Sequence, residues 1–149
     1  MATAETTYVD PSALLKLYLN EPQSRVMAAW RGKTRGRLPV THHGRVEVVN
    51  GLALAAHRGW VGEPVYAAAL AAFDEDFQLG RYHPVDVLWR AALKRAGELS
   101  RRHSRVLGTR SLDVIHVACA LELGLPGFLT FDVRQAKLAC AVGLKAIAP

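Results

Sequence analysis

Strands separated by helices predict an α/β sandwich with a mainly parallel sheet for this chain of 149 residues. Three observations carry that expectation. Short β-leaning runs recur at 7–9, 38–41, 82–85, 127–131 and 144–148. Apolar residues at helical spacing fill most of the chain between them. The runs lie too far apart for tight hairpins, so their connections read as helical crossovers, which parallel strands require. With half of its residues hydrophobic the chain has ample material for one core, and it is expected to form one domain over residues 1–149.

The elements follow in order. Thr7-Tyr8-Val9 is the first strand; Asp10 then takes an N-cap position, with Pro11 at the first helical position, where its missing N–H costs nothing. Leu14, Leu15, Tyr18 and Leu19 form the apolar face of a helix that Pro22 stops. Ser24 opens a short helix through Trp30, followed by a glycine-broken basic loop and the strand "LPVT". From about Arg45, Val46, Val49, Leu52, Ala53 and Ala56 recur at helical spacing until Gly59. Pro64 opens another helix, with Tyr66, Leu70, Phe73 and Phe77 on one face. "YHPV" is a short extended piece, and Asp86 is expected to cap a helix running to about Arg102. "SRVLGTRS" reads as a loop. Leu112, Ile115, Cys119 and Leu123 lie in helical register and Gly124 closes that helix. "GFLTF" is a strand, Asp132 follows at once, Val133 to Val142 is a helix, and "LKAIA" is a last strand.

Composition narrows the function classes. The opening "MATAETT" lacks the charged and apolar regions of a signal peptide, and the stretch at 64–73 is too short and alanine-rich to span a bilayer. Cys119 and Cys140 sit in apolar helical patterns and support neither a disulfide framework nor a zinc site. The pair His42-His43 has no metal-ligand spacing of its own. A soluble, cytoplasmic protein with no membrane association is expected. Nineteen Lys and Arg against thirteen Asp and Glu give a net charge of +6, and "RGKTRGR" carries four basic residues in seven. A second basic series runs from Arg90 to Arg110. Clustered arginine suits polyanions such as nucleic acid, although a solvated basic surface is the commoner meaning of such clusters.

In parallel α/β sheets, ligands sit outside the carboxyl ends of the strands. Asp10 and Asp132 directly follow strands, and Glu47 lies at the opening turn expected for the helix after "LPVT". Asp113 opens the helix before "GFLTF"; if that helix runs antiparallel to the sheet, its start is expected near the opposite edge, and only the packing angle decides this. Each acid also has a purely local role. Asp10 before proline is a cap worth about 1 kcal/mol, Asp132 caps the last long helix, and acids in first turns complement the helix dipole. Together they suggest more. Asp113 and Glu47 stand among apolar neighbours, where a solitary charge is costly to bury. Converging carboxylates repel unless a cation neutralises them, and an all-oxygen set suits Mg²⁺ or Mn²⁺.

The series "YVDPSALLKLY", "RVEVVNGL", "RSLDVIHVACAL" and "FLTFDVRQAKLACAVGL" resembles the PIN-domain family, and within it the VapC-type toxins of bacterial toxin–antitoxin pairs. The match covers nearly the whole chain. Its most specific parts are Asp-x-x-His-x-Ala on one helix and Thr-x-Asp after a strand. The resemblance implies a three-layer α/β/α sandwich and a metal-dependent endoribonuclease. It places the family's catalytic acids at Asp10, Glu47, Asp113 and Asp132, with Mg²⁺ (or Mn²⁺) held by Asp10, Asp113 and Asp132. It further implies an RNA substrate, a homodimer and a small cognate antitoxin. Some members carry a further acid after the third or fourth; here His116, Val117, Val133 and Arg134 occupy those places.

Ser12 and Thr130 are candidate supports that hydrogen-bond the carboxylates or a metal-bound water, or else ordinary hydroxyls at a helix start and a strand end. Arg110 is a candidate phosphate contact or a solvent-facing loop residue. His116 either orients Asp113 or is a buried, hydrogen-bonded histidine. The competing reading is a non-catalytic RNA-binding or scaffold domain on the same fold. A phosphotransfer role for Asp10 is disfavoured, because haloacid-dehalogenase-type phosphatases need a second Asp two residues on, where this chain has Ser12.

Overall fold

Thr7, Tyr8 and Val9 form strand β1 (Thr7–Val9), and all three residues are buried. The computed structural model describes residues 3–149. β1 pairs in parallel with β4 (Gly127–Leu129), and β4 with β5 (Lys145–Ile147). A second parallel pair joins β2 (Leu38–Thr41) to β3 (Tyr82–Val85), and β2 lies against β1. The all-parallel pairing agrees with the expected crossovers, and strands buried on both faces are what helices on both sides require.

The pleat divides the core. Tyr8 and Phe128 are partners in the β1–β4 register, with stacked rings 5.4 Å apart. They point to a core that also holds Ala92, Ala96, Val114, Val117 and Leu138. These come from α5 (Trp89–Leu99), α7 (Ser111–Glu122) and α8 (Val133–Ala141). Val9 and Leu129 point the other way, into a core with Leu14, Met27, Val48, Leu52 and Phe73. Those residues belong to α1 (Pro11–Leu15), α2 (Ser24–Lys33), α3 (His42–His57) and α4 (Glu63–Gln78). The result is a three-layer α/β/α sandwich, as the order of elements predicts.

Several boundaries differ from the periodicity. α1 ends at Leu15, well short of Pro22, because the amides of Leu17 and Tyr18 reach back only three residues to Leu14 and Leu15 and tighten the chain into turns. α3 starts at His42 because the Thr41 hydroxyl caps it, accepting from Gly44 N at 3.0 Å. Glu47 therefore lies in the second turn of α3, beyond the reach of the helix dipole. α3 carries apolar residues on several faces, so spacing assigned its buried face only in part: Leu52 is buried as expected, Val48 and Ala55 are buried as well, and Val46 is 65% exposed. Asp86 caps nothing; α5 starts three residues later, and Asp86 meets His42 Nε2 at 3.0 Å on the surface. α5 runs on through a π-helical turn at Ser100–Ser104 into α6 (Arg105–Leu107), where a loop was expected, and Gly108 (φ +69°) ends it. "GFLTF" is a strand only to Leu129.

No helix among the described residues is long and apolar enough to cross a membrane.

Candidate active site at the carboxyl edge of the sheet

Asp10 closes β1. Its backbone N–H still donates to Leu129 O at 3.0 Å, which fixes the residue at the strand end, and the residue is 5% exposed. Carboxylate Oδ2 accepts from Ser12 N at 3.1 Å and from the Ser12 hydroxyl, the cap expected from Asp-Pro-Ser. Oδ1 accepts from Gln135 Nε2 at 3.0 Å. Capping and a place at the sheet edge thus coexist in one carboxylate.

Gln135 is the residue that sequence reasoning missed. It is wholly buried, and its Nε2 also donates to the backbone carbonyl of Asp113 at 3.2 Å, so one amide ties β1 to α7. Its Oε1 accepts from the Thr130 hydroxyl at 2.6 Å, and Thr130 Oγ1 in turn accepts from Asp132 N at 3.0 Å. Thr130 consequently supports the site through Gln135 and touches no carboxylate. Asp132 caps α8, its Oδ1 accepting from Gln135 N at 2.9 Å. The spacing Asp132-x-x-Gln135 carries a signal, since it matches a capping box. In a capping box the Gln side chain would turn back to the Asp132 amide; Thr130 already occupies that donor, and Gln135 is directed across to Asp10.

Asp113 lies in the first turn of α7 and lines the same cavity as Asp10 and Asp132. The expected displacement to the opposite edge does not occur, because a helix running back against parallel strands starts where the strands end. Arg110, exposed at the mouth, donates from Nε to Asp113 Oδ2 at 3.1 Å, and this contact raises its own pKa. His116 does not orient Asp113. Its Nε2 lies 2.6 Å from Glu47 Oε2, and its Nδ1 lies 2.6 Å from the Tyr8 hydroxyl. Burial pulls the His116 pKa down, but the Glu47 hydrogen bond and the nearby carboxylates of Asp10, Glu47 and Asp113 outweigh it and leave the value raised. Burial, foremost, holds the Tyr8 phenol well above its usual range, so it stays protonated. His43 stacks on His116 with 5.0 Å between rings, and burial together with His116 pushes its pKa down to about 4.

Tyr8→Phe is expected to cost about 1 kcal/mol of stability, the net worth of one buried hydrogen bond. Chemical denaturation would register it as a lower midpoint at unchanged slope. An unaltered midpoint would mean that the Tyr8–His116 contact contributes nothing.

Asp10, Ser12, Glu47, Arg110, Asp113, His116 and Asp132 line one cavity of about 460 Å³. Four carboxylates face it, with Arg110 and His116 as the basic groups among its lining residues. A set rich in hard oxygen donors and short of positive charge fits a hydrated divalent cation. The acids come from the end of β1, the second turn of α3, the start of α7 and the β4–α8 junction. A separate group of potential ligands, His43, Glu47 and His116, lies on the α3–α7 side.

Comparison with protein families finds a match to the PIN domain over residues 7–140. Comparison with curated proteins finds no match.

Proposed function

Because the chain belongs to the PIN domain family, whose members are in general nucleases that use divalent metals, we propose that it is an endoribonuclease of the VapC type, the toxin of a toxin–antitoxin pair. The observation that carries this reading is the convergence of Asp10, Glu47, Asp113 and Asp132, from four separate segments, on one cavity. Asp10, Asp113 and Asp132 would hold Mg²⁺ or Mn²⁺, with Glu47 beside them. An ion held there would supply a water of lowered pKa and positive charge against the charge that builds on a scissile phosphate.

The chain's own residues do the positioning. Gln135 fixes Asp10 against the start of α7, Ser12 holds the second Asp10 oxygen, and His116 holds Glu47. Arg110, exposed and paired only at the mouth, is placed to exchange Asp113 for an RNA phosphate. The basic series from Arg90 to Arg110 and the "RGKTRGR" segment, which spans the end of α2 and the turn after it, supply sequence-independent attraction to the RNA backbone. A non-catalytic RNA-binding role fits less well, since four acids in a phosphate-facing cavity weaken binding unless a cation sits among them. The apolar α3 surface with Val46 and Val49 exposed suits a protein partner, a second copy or the antitoxin.

The test is cleavage of a structured RNA by the purified protein. Cleavage is expected with Mg²⁺ or Mn²⁺ and is expected to vanish in EDTA and return when the metal is restored. Turnover that persists in EDTA would refute a metal-dependent site.

A further inference from the structure

Beside the carboxylate cavity, α3 and α7 assemble a donor set of different chemistry. His43 and Glu47 stand four residues apart on α3 and His116 lies on α7; one potential ligand atom from each lies within 4.8 Å of the others. Two imidazoles and a carboxylate suit Zn²⁺ and similar late first-row ions, and suit Mg²⁺ poorly. His116 already has the outer support typical of a ligating histidine, one ring nitrogen held by the Tyr8 hydroxyl and the other directed at Glu47.

His43 supplies an independent sign. Its Nδ1 is buried and finds no hydrogen-bond partner in the protein, while its Nε2 meets only the Cys119 thiol at 4.0 Å. Buried polar atoms without partners are rare and point to a missing ligand. The His43 and His116 rings are nearly parallel, at 15°, so one must turn to present its nitrogen edge-on to a shared ion. His43 has no strong hydrogen bond to lose by turning, whereas His116 is held at Nδ1 by Tyr8 and would exchange its Nε2 contact with Glu47 for the ion that both bind.

We propose that His43, Glu47 and His116 form a binding site for Zn²⁺ or a similar late transition-metal ion, distinct from the oxygen set of Asp10, Asp113 and Asp132 and sharing Glu47 and His116 with the cavity wall. Occupation draws Glu47 toward the histidines, so the ion inhibits the Mg²⁺-dependent chemistry. That consequence, unlike the binding, rests on the nuclease reading.

Calorimetric titration of the full chain with zinc chloride tests the binding. Wild type and Asp113→Asn are expected to bind one zinc equivalent alike, and His43→Phe to bind it at least about tenfold more weakly. Equal affinity in wild type and His43→Phe, or a loss confined to Asp113→Asn, overturns the site. If circular dichroism shows His43→Phe unfolded, His43→Gln, which keeps a polar side chain, carries the same comparison. In the RNA assay with Mg²⁺, added zinc is expected to inhibit wild type and to spare His43→Phe, whose cleavage without zinc matches wild type. A protein that binds zinc through His43 but never cleaves RNA would refute the nuclease reading and leave the zinc site standing.

Discussion

Asp10→Asn is expected to lower Mg²⁺-dependent RNA cleavage by on the order of 10²–10³-fold, the loss typical of removing one preorganised charge-stabilising group, at a cost of about 1–3 kcal/mol in stability. The two halves of that expectation have separate causes. Asparagine caps a helix about as well as aspartate, so the contact with Ser12 N that starts α1 survives. Its single side-chain oxygen cannot also serve Gln135 Nε2, where Asp10 Oδ1 accepts now, so an amide N–H faces the Gln135 amide and that buried hydrogen bond is lost. What also disappears is the negative charge at the most enclosed of the four acids, the one at 5% exposure. Cleavage rates and thermal melts on the same preparation separate the effects. A variant that melts like wild type and cleaves like wild type would remove Asp10 from the mechanism. One that is unfolded outright would show that its role is chiefly structural.

Gln135→Leu is expected to destabilise the protein by about 3 kcal/mol, because it strips partners from several buried groups at about 1–3 kcal/mol each. Asp10 Oδ1, the Asp113 carbonyl and the Thr130 hydroxyl all lose the amide that now serves them. For a chain of this length that corresponds to a fall in Tm of about 6–12 °C. Cleavage should fall with it, since the amide links the end of β1 to the start of α7 and thereby sets Asp10 relative to Asp113. Gln135→Glu is the informative companion. It keeps the size but faces an Asp10 oxygen and a backbone carbonyl with a further carboxylate, so below the carboxylate titration range, where protonation restores a donor, its deficit should shrink. A Tm within about 2 °C of wild type for Gln135→Leu, less than the shift of a single kcal/mol at this size, would dismiss the hub.

Much of the fold was legible along the chain. β1, β2, β3, β5 and α8 lie where β-leaning runs and helical periodicity place them, and the spacing between strands predicts the parallel pairing. The errors have physical causes. α3 carries apolar residues on several faces, so periodicity placed Leu52 in the core but could not say that Val48, and not Val46 and Val49, joins it there. Asp86 resembles a cap, yet α5 starts beyond it.

For the site, the sequence by itself determined which residues are capable of the chemistry: acids after strands, a proline that fixes the helix behind Asp10, and a Thr-x-Asp strand end. These are local patterns, written in residues that are neighbours along the chain. Only the tertiary structure decided who meets whom. Gln135 reaches Asp10 across 125 positions, and His116 reaches Glu47 across 69. His43, which has no ligand spacing beside His42, gains one only when α3 packs beside α7. Such pairings depend on packing angles and side-chain directions between elements, and hydrophobic periodicity, even where it fixes an element's buried face, does not fix where along that face its partner lies.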